Sequence, residues 1–185
     1  MAKLEIAQAK TLKWEGGYAN VAGDKGGETI FGIARAIHPN LKLWQYLDTY
    51  KKGLEPFDKS KYDELEKLCE GNIQFKEEMA KFYKENFWDA IKGDEINDQD
   101  IANAIYDFAV NSGVRRAVLV AQATLNIVQD GIMGTQTLEA INKAGSGFVK
   151  HYCDNRAEFF KAIAQKGDNA KFLKGWLNRV DDFHA

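Results

Sequence analysis

Six of the sixteen glycines in this 185-residue chain fall between positions 16 and 32, and outside that window apolar residues recur almost everywhere at helical spacing. Leu43, Tyr46, Leu47 and Tyr50 form one stripe; Tyr62, Leu65, Leu68 and Cys69 form a second. Phe75, Met79, Phe82, Tyr83, Phe87 and Trp88 give a longer third. Such stripes are the inward faces of amphipathic helices, so the spacing predicts helices separated near Pro56 and Gly71. Helical spacing already accounts for these aromatic residues as core. Only residues 18–22 and 29–33 look extended, enough for a small β-hairpin near 18–33 and no larger sheet. The fold class is mainly α.

Composition narrows the function classes. With 45% hydrophobic residues the chain can bury a substantial core, as one domain or one domain with a small lobe. A formal net charge of −2 gives no basic footprint, which argues against nucleic acid as a partner. No apolar run approaches the roughly 20 residues of a membrane span, so no membrane insertion is expected. The first residues, Met1-Ala2-Lys3-Leu4-Glu5, lack the apolar stretch of a signal peptide, and the expected place of synthesis is the cytoplasm. Cys69 and Cys153 are too few for a disulfide framework, and with His38, His151 and His184 they show no metal-ligand spacing. Both cysteines fall beside apolar positions and are expected as buried thiols. No metal or organic cofactor is expected.

The chemistry concentrates in the glycine-rich window: Glu15-Gly16-Gly17-Tyr18, then Asp24, Gly26-Gly27, Thr29 and Gly32-Ile33. Leu4, Ala7, Thr11 and Trp14 recur at helical spacing, and Glu15 lies close to the line of Leu4, Gln8 and Thr11. This predicts a helix over 3–15 with Glu15 on its last turn and Gly16-Gly17 as a left-handed stop. A carboxyl at the negative end of a helix dipole, between Trp14 and Tyr18, is in surroundings suited to a general acid. A glutamate at a helix end is more often a solvated surface residue; the downstream spacing is what raises Glu15 above that. Asp24 follows nine residues later and Thr29 five after it, on a segment able to double back. Glycosidases need two groups flanking one bond, an acid for the leaving oxygen and a second carboxylate on the other side. A threonine hydroxyl can hold the water. Tyr18, beside Glu15, and Asn111, at an expected helix end, are the candidate substrate contacts.

The pattern E-G-G-Y-x5-D-x-G-G-x-T-x2-G-I resembles the N-terminal signature of glycoside hydrolase family 108, the bacterial and prophage muramidases, some of which are labelled secretion activators. The resemblance implies a lysozyme-like helical fold and places the family's catalytic acid on Glu15. The arrangement is also similar to the Glu-x8-Asp-x5-Thr triad of phage lysozymes; Glu15 and Asp24 keep the first interval, while Asp24-x4-Thr29 is one residue short of the second. Further on, Asp98 reads as the N-cap of a helix ending at Asn111-Ser112-Gly113. The stretch A-x3-A-Q-x2-L-x4-D-G-x2-G-x2-T-x3-I that follows, from Ala117 to Ile141 with Gln122 on the edge of a helix, resembles a peptidoglycan-binding module. Asp130-Gly131 would make a tight turn there. The terminal Gly175-Trp176-Leu177-x-Arg179 is similar to the family's last segment, with Trp176 expected to lock the final helix onto the core and Arg179 to pair with a carboxylate.

These signatures imply residues 1–97 as a lysozyme-like catalytic part and 98–185 as a helical peptidoglycan-binding-like part packed on it, with one compact domain as the alternative. The activity implied is cleavage of the β-1,4 bond between N-acetylmuramic acid and N-acetylglucosamine in peptidoglycan glycan strands, reached either through a holin-dependent route in a prophage lysis cassette or in the host's own wall passage. Two alternatives stay open at this point. A lytic transglycosylase would use Glu15 as acid and then base, and a wall-binding or secretion-accessory protein would hydrolyse nothing.

Overall fold

The computed structural model describes residues 1–20, 27–145 and 147–184. Contacts gather the chain into two compact units, Leu12–Tyr83 and the combination of Met1–Thr11 with Lys84–Ala185. Asp24 lies outside the described residues. Helices dominate both units, as the apolar spacing predicts.

In the Leu12–Tyr83 unit the extended segments form a three-stranded antiparallel sheet, one strand more than the hairpin expected. Strand β1 (Tyr18–Asn20) pairs with β2 (Glu28–Ile30), Tyr18 opposite Ile30 and Asn20 opposite Glu28. Strand β3 (Ile33–Ala34) returns along β2 with Ile30 opposite Ile33. The two-residue connection, Phe31-Gly32, has positive φ at both positions (47° and 79°), the twist that matches a tight hairpin to its strands. The helices of this unit are α2 (Leu43–Gly53), α3 (Tyr62–Gly71) and α4 (Ile73–Tyr83). Leu43, Trp44 and Leu47 of α2, Leu65 and Cys69 of α3, and Phe75 and Phe82 of α4 are buried, whereas Leu68 is exposed.

An ion-pair network fastens the sheet to α2. The largely buried Glu28 carboxylate accepts from the Tyr18 hydroxyl at 2.6 Å and pairs with Lys51 at 2.6 Å and Arg35 at 2.8 Å. Arg35 also grips Asp48 with two bonds, at 2.6 and 3.2 Å, and lies over the Trp44 ring. The planar guanidinium can serve both carboxylates and the ring at once, which a lysine could not.

In the other unit α1 (Leu4–Leu12) joins α5 (Gln99–Ser112), α6 (Val114–Thr124), α7 (Thr135–Lys143), α8 (Phe148–Ala164) and α9 (Leu173–Asp182). Asp98 caps α5 as expected, its carboxylate accepting from the N–H groups of Asp100 and Ile101 at 2.9 and 3.0 Å. Gly113 ends α5 as the sequence predicts and turns the chain into α6 at φ 91°, ψ 146°, a conformation that only glycine occupies readily. Residues 101–109 are all buried.

The centre of this core is ionic. Asp107 is buried and accepts from Arg179 Nε and Nη2 at 3.0 and 2.8 Å, while Arg156 Nη2 pairs with it at 2.6 Å. Arg156 is fully buried, and its Nε and Nη1 find no hydrogen-bond partner among the described residues. Its guanidinium instead lies 4.7 Å from the Phe108 ring centroid and 5.6 and 5.9 Å from those of Phe160 and Phe183, where ring quadrupoles attract a cation. Arg179 thus has the carboxylate partner expected of it, and Trp176 stacks on Phe160 at 5.1 Å. Both cysteines are buried and unpaired. Burial pushes the Cys69 thiol up to about 12 and that of Cys153 to about 11, so neither supplies a thiolate at neutral pH.

Candidate active site

Helix α1 stops at Leu12, three residues earlier than its spacing predicts, and Glu15 stands beyond it in a turn closed by its own N–H on the Leu12 carbonyl at 3.2 Å. Gly16 and Gly17 do not take the left-handed conformation expected of a helix stop. The physical reason lies across the unit. Continuing the helix would need the amides after Glu15, yet Tyr18 N–H donates to the Glu66 carboxylate at 2.6 Å. The Gly17 carbonyl accepts from Phe31 N–H at 3.2 Å. Two successive glycines also lower helix stability by roughly 1 kcal/mol each relative to alanine. Tertiary partners therefore end the helix before Glu15, which stands in the turn that follows α1 and not on its last turn.

Glu15 opens into a cavity of about 280 Å³ built entirely within the Leu12–Tyr83 unit. One wall is polar: Glu66 and Glu70, one helical turn apart on α3, and Lys76 of α4. The other is apolar, with Leu12, Phe31, Phe75 and Met79. Glu66 lies directly against Gly17, where any side chain would collide with its carboxylate. It therefore clamps the Glu15 turn from the side. Among the described residues no group of three or more His, Cys, Asp or Glu is placed to hold a metal.

Gly32 gives the Glu15 carboxylate the room it occupies. A Cβ at this position would lie 2.5 Å from Glu15 Oε2 and 2.9 Å from the Tyr83 hydroxyl, and φ is 79°. The Tyr83 hydroxyl donates to the Phe31 carbonyl at 2.6 Å, pinning the same turn. Gly32→Ala should therefore lose about 1–2 kcal/mol of stability from the left-handed backbone alone. If Glu15 is the general acid expected from the sequence, the variant should also lower turnover more than tenfold, because the carboxyl must move aside and sub-ångström to ångström displacements are expensive in rate. Thermal unfolding and clearing of purified cell-wall sacculi check both; undiminished clearing by the alanine variant would contradict this placement.

The other residues singled out from sequence are distributed as follows. Thr29, on β2, directs its hydroxyl at the Ala19 carbonyl across the ladder, 3.4 Å away. The Tyr18 ring is buried, edge-on to Tyr62 at 4.6 Å and to Phe57 at 5.6 Å. Burial, reinforced by the hydrogen bond and charge of Glu28, pushes the Tyr18 phenol well above its ordinary value. Tyr18 is not among the residues that line the cavity; it reaches the site only through its N–H bond to Glu66, which is. Asn111 sits half-buried on the last turn of α5 in the other unit, accepting from the Ser112 hydroxyl at 3.0 Å. Sequence reasoning missed Glu66, Glu70 and Phe31. The i, i+4 repeat of Glu66 and Glu70 beside Leu65 and Cys69 was the one available signal.

The second motif forms a site of its own. Gln122 is buried, not on the helix edge expected, and it is the hub of the turn that follows α6. Its Nε2 donates to Asp130 Oδ1 at 2.7 Å, to the Thr137 hydroxyl at 3.0 Å and to the Ile132 carbonyl at 3.2 Å. Its Oε1 accepts from Gly131 N–H at 2.8 Å. Asp130 also accepts from Ile132 N–H at 2.8 Å, and these bonds hold its carboxyl below the usual range. The spacing of Gln122, Asp130, Gly131 and Thr137 is thus that of one hydrogen-bonded knot. It borders an open cavity of about 660 Å³ with the exposed Val128 and Ile132 on its rim.

Residues 8–113 match the profile described as Glycosyl hydrolase 108, which is more than half of the chain. The chain belongs to glycosyl hydrolase family 108. Residues 116–181 match a second profile, described as a predicted peptidoglycan domain, and this stretch contains the Gln122 knot. The family 108 chain is therefore a glycoside hydrolase whose two matched regions converge on peptidoglycan. It is similar to the solved structure of Brucella abortus SagA, with 27% identity, a TM-score of 0.65, and coverage of 97% of this chain and 90% of that one. That likeness agrees with a mainly α, lysozyme-like fold. No curated protein matches the chain. Among the described residues no helix is long and apolar enough to cross a membrane.

Proposed function

We propose that the chain is an N-acetylmuramidase that hydrolyses the β-1,4 bond between N-acetylmuramic acid and N-acetylglucosamine, with Glu15 as general acid. The observation that carries this reading is the Glu15 carboxyl opening into a half-polar, half-apolar cavity beside Gly32. A sugar unit presents the same two characters, hydroxyl edges and a C–H face. Glu15 donates its proton to the glycosidic oxygen as the sugar ring gains oxocarbenium character. Asp24 is the second carboxylate of the proposal, either activating water or stabilising the positive charge. Thr29, its hydroxyl proton directed at Ala19, keeps lone pairs with which to orient that water. Tyr18 serves through the backbone bond that holds the Glu15 turn, and Asn111 is retained as a glycan contact.

In this reading residues 1–97 carry the chemistry and residues 98–185 hold the enzyme on the wall, reached from the cytoplasm by a holin-dependent route in a lysis setting. The test is clearing of purified sacculi with a simultaneous count of new reducing ends. Falling turbidity matched by reducing sugar is expected. Binding to sacculi with no new ends would instead indicate a wall-binding protein that does no hydrolysis.

A further inference from the structure

The Phe31-Gly32 turn holds a bulky residue where the backbone disfavours one. Two-residue hairpin loops with φ positive at both positions favour asparagine, aspartate or glycine at the first. A large side chain with φ of 47° is a true outlier. Three contacts hold Phe31 there. Its N–H donates to the Gly17 carbonyl at 3.2 Å, its carbonyl accepts from the Tyr83 hydroxyl at 2.6 Å, and its ring meets Phe75 edge-on at 6.2 Å. Both backbone bonds would form equally well with asparagine or glycine in its place. Phe31 is only partly buried, and it lines the cavity into which Glu15 opens. Backbone strain that the surroundings over-determine, next to a reactive group, points to a use for the strained residue.

Resting on the muramidase reading, we propose that Phe31 is a substrate-binding residue: its ring is the apolar wall against which the C–H face of the sugar unit beside Glu15 packs. Leu12 and Met79 extend that wall, while Glu66, Glu70 and Lys76 face the hydroxyl edge. An aromatic ring suits the apolar face of a pyranose because it offers large contact area with few internal rotations to freeze. If the ring were only a cap on Phe75, asparagine at this position would cost stability and leave sugar binding unaltered. If it is a sugar platform, the reverse holds.

The test uses the full chain with Glu15→Gln, so that binding is read without turnover, titrated with N-acetylglucosamine oligomers by calorimetry. Adding Phe31→Asn should weaken binding about tenfold, the scale of one lost apolar contact in a pocket. The thermal midpoint should hold or rise as the turn relaxes. Phe31→Tyr, which keeps ring and strain, should bind within twofold of the parent. Equal affinities for parent and Phe31→Asn, absence of binding by the parent, or a Phe31→Asn variant that loses thermal stability without losing affinity would each overturn the proposal. The hydrolytic reading is judged separately by sacculus clearing. A chain that fails to hydrolyse but shows the tenfold shift would lose the enzyme and keep the subsite.

Discussion

Glu15→Gln should lower the rate of sacculus clearing by about 10²–10⁴-fold, the contribution general acid catalysis makes when a positioned group loses its proton. The substitution keeps the shape of the side chain and removes only the group that titrates. Glu15 is half-buried at the mouth of a cavity and leaves no hole in the core, so stability should change by no more than about 1 kcal/mol. The two readouts must separate. Activity that falls in step with thermal stability would make Glu15 part of the scaffold, and a variant that clears sacculi at more than a tenth of the parent rate would remove it from the acid role.

The largest stability effect is expected at the other end of the molecule's chemistry. Asp107→Ala leaves Arg156 fully buried and deprives Arg179 of the carboxylate it contacts through two nitrogens. Breaking a buried pair by removing one partner costs about 3–5 kcal/mol, because the surviving charge stays out of water without compensation. Here two cations share the lost anion, and the rings of Phe108, Phe160 and Phe183 around Arg156 supply no formal charge in its place. For a chain of this length the midpoint should fall by about 6–20 °C. Denaturant titration of parent and variant measures it. A loss under 1 kcal/mol would mean the ion cluster is far better solvated than its burial implies. At a temperature where both proteins are folded, clearing per folded molecule should remain close to the parent value, the converse of the Glu15 result.

These two residues mark what was and was not legible in the chain. Arg179 announced a carboxylate partner from its place on the last helix, yet nothing local named Asp107, 72 positions earlier. Helical stripes such as Leu43 with Leu47, and Leu65 with Cys69, read directly, because burial repeats with the helix period. The Asp98 cap read for the same reason, since its partners lie two and three residues on. The end of α1 did not, because Glu66 and Phe31, from α3 and the β2–β3 turn, claim the backbone of Gly17 and Tyr18. Strand β3 was missed because its turn lacks the usual Asn-Gly signal and carries a phenylalanine instead. Gln122 looked like an edge residue on helical periodicity alone; only the returning Asp130–Thr137 segment encloses it. At the candidate site, the glycine-rich window singled out Glu15, while the polar wall of its cavity comes from Glu66, Glu70 and Lys76 of α3 and α4, far along the chain.

Digestion of purified sacculi in water enriched in oxygen-18, followed by mass analysis of the released fragments, tests the central claim most directly. Hydrolysis of the muramyl bond places one heavy oxygen on the anomeric carbon of a reducing-end N-acetylmuramic acid, and the disaccharide-peptides should carry that label in the parent and vanish with Glu15→Gln. Fragments ending in unlabelled anhydro-muramic acid, or in reducing N-acetylglucosamine, would contradict the account.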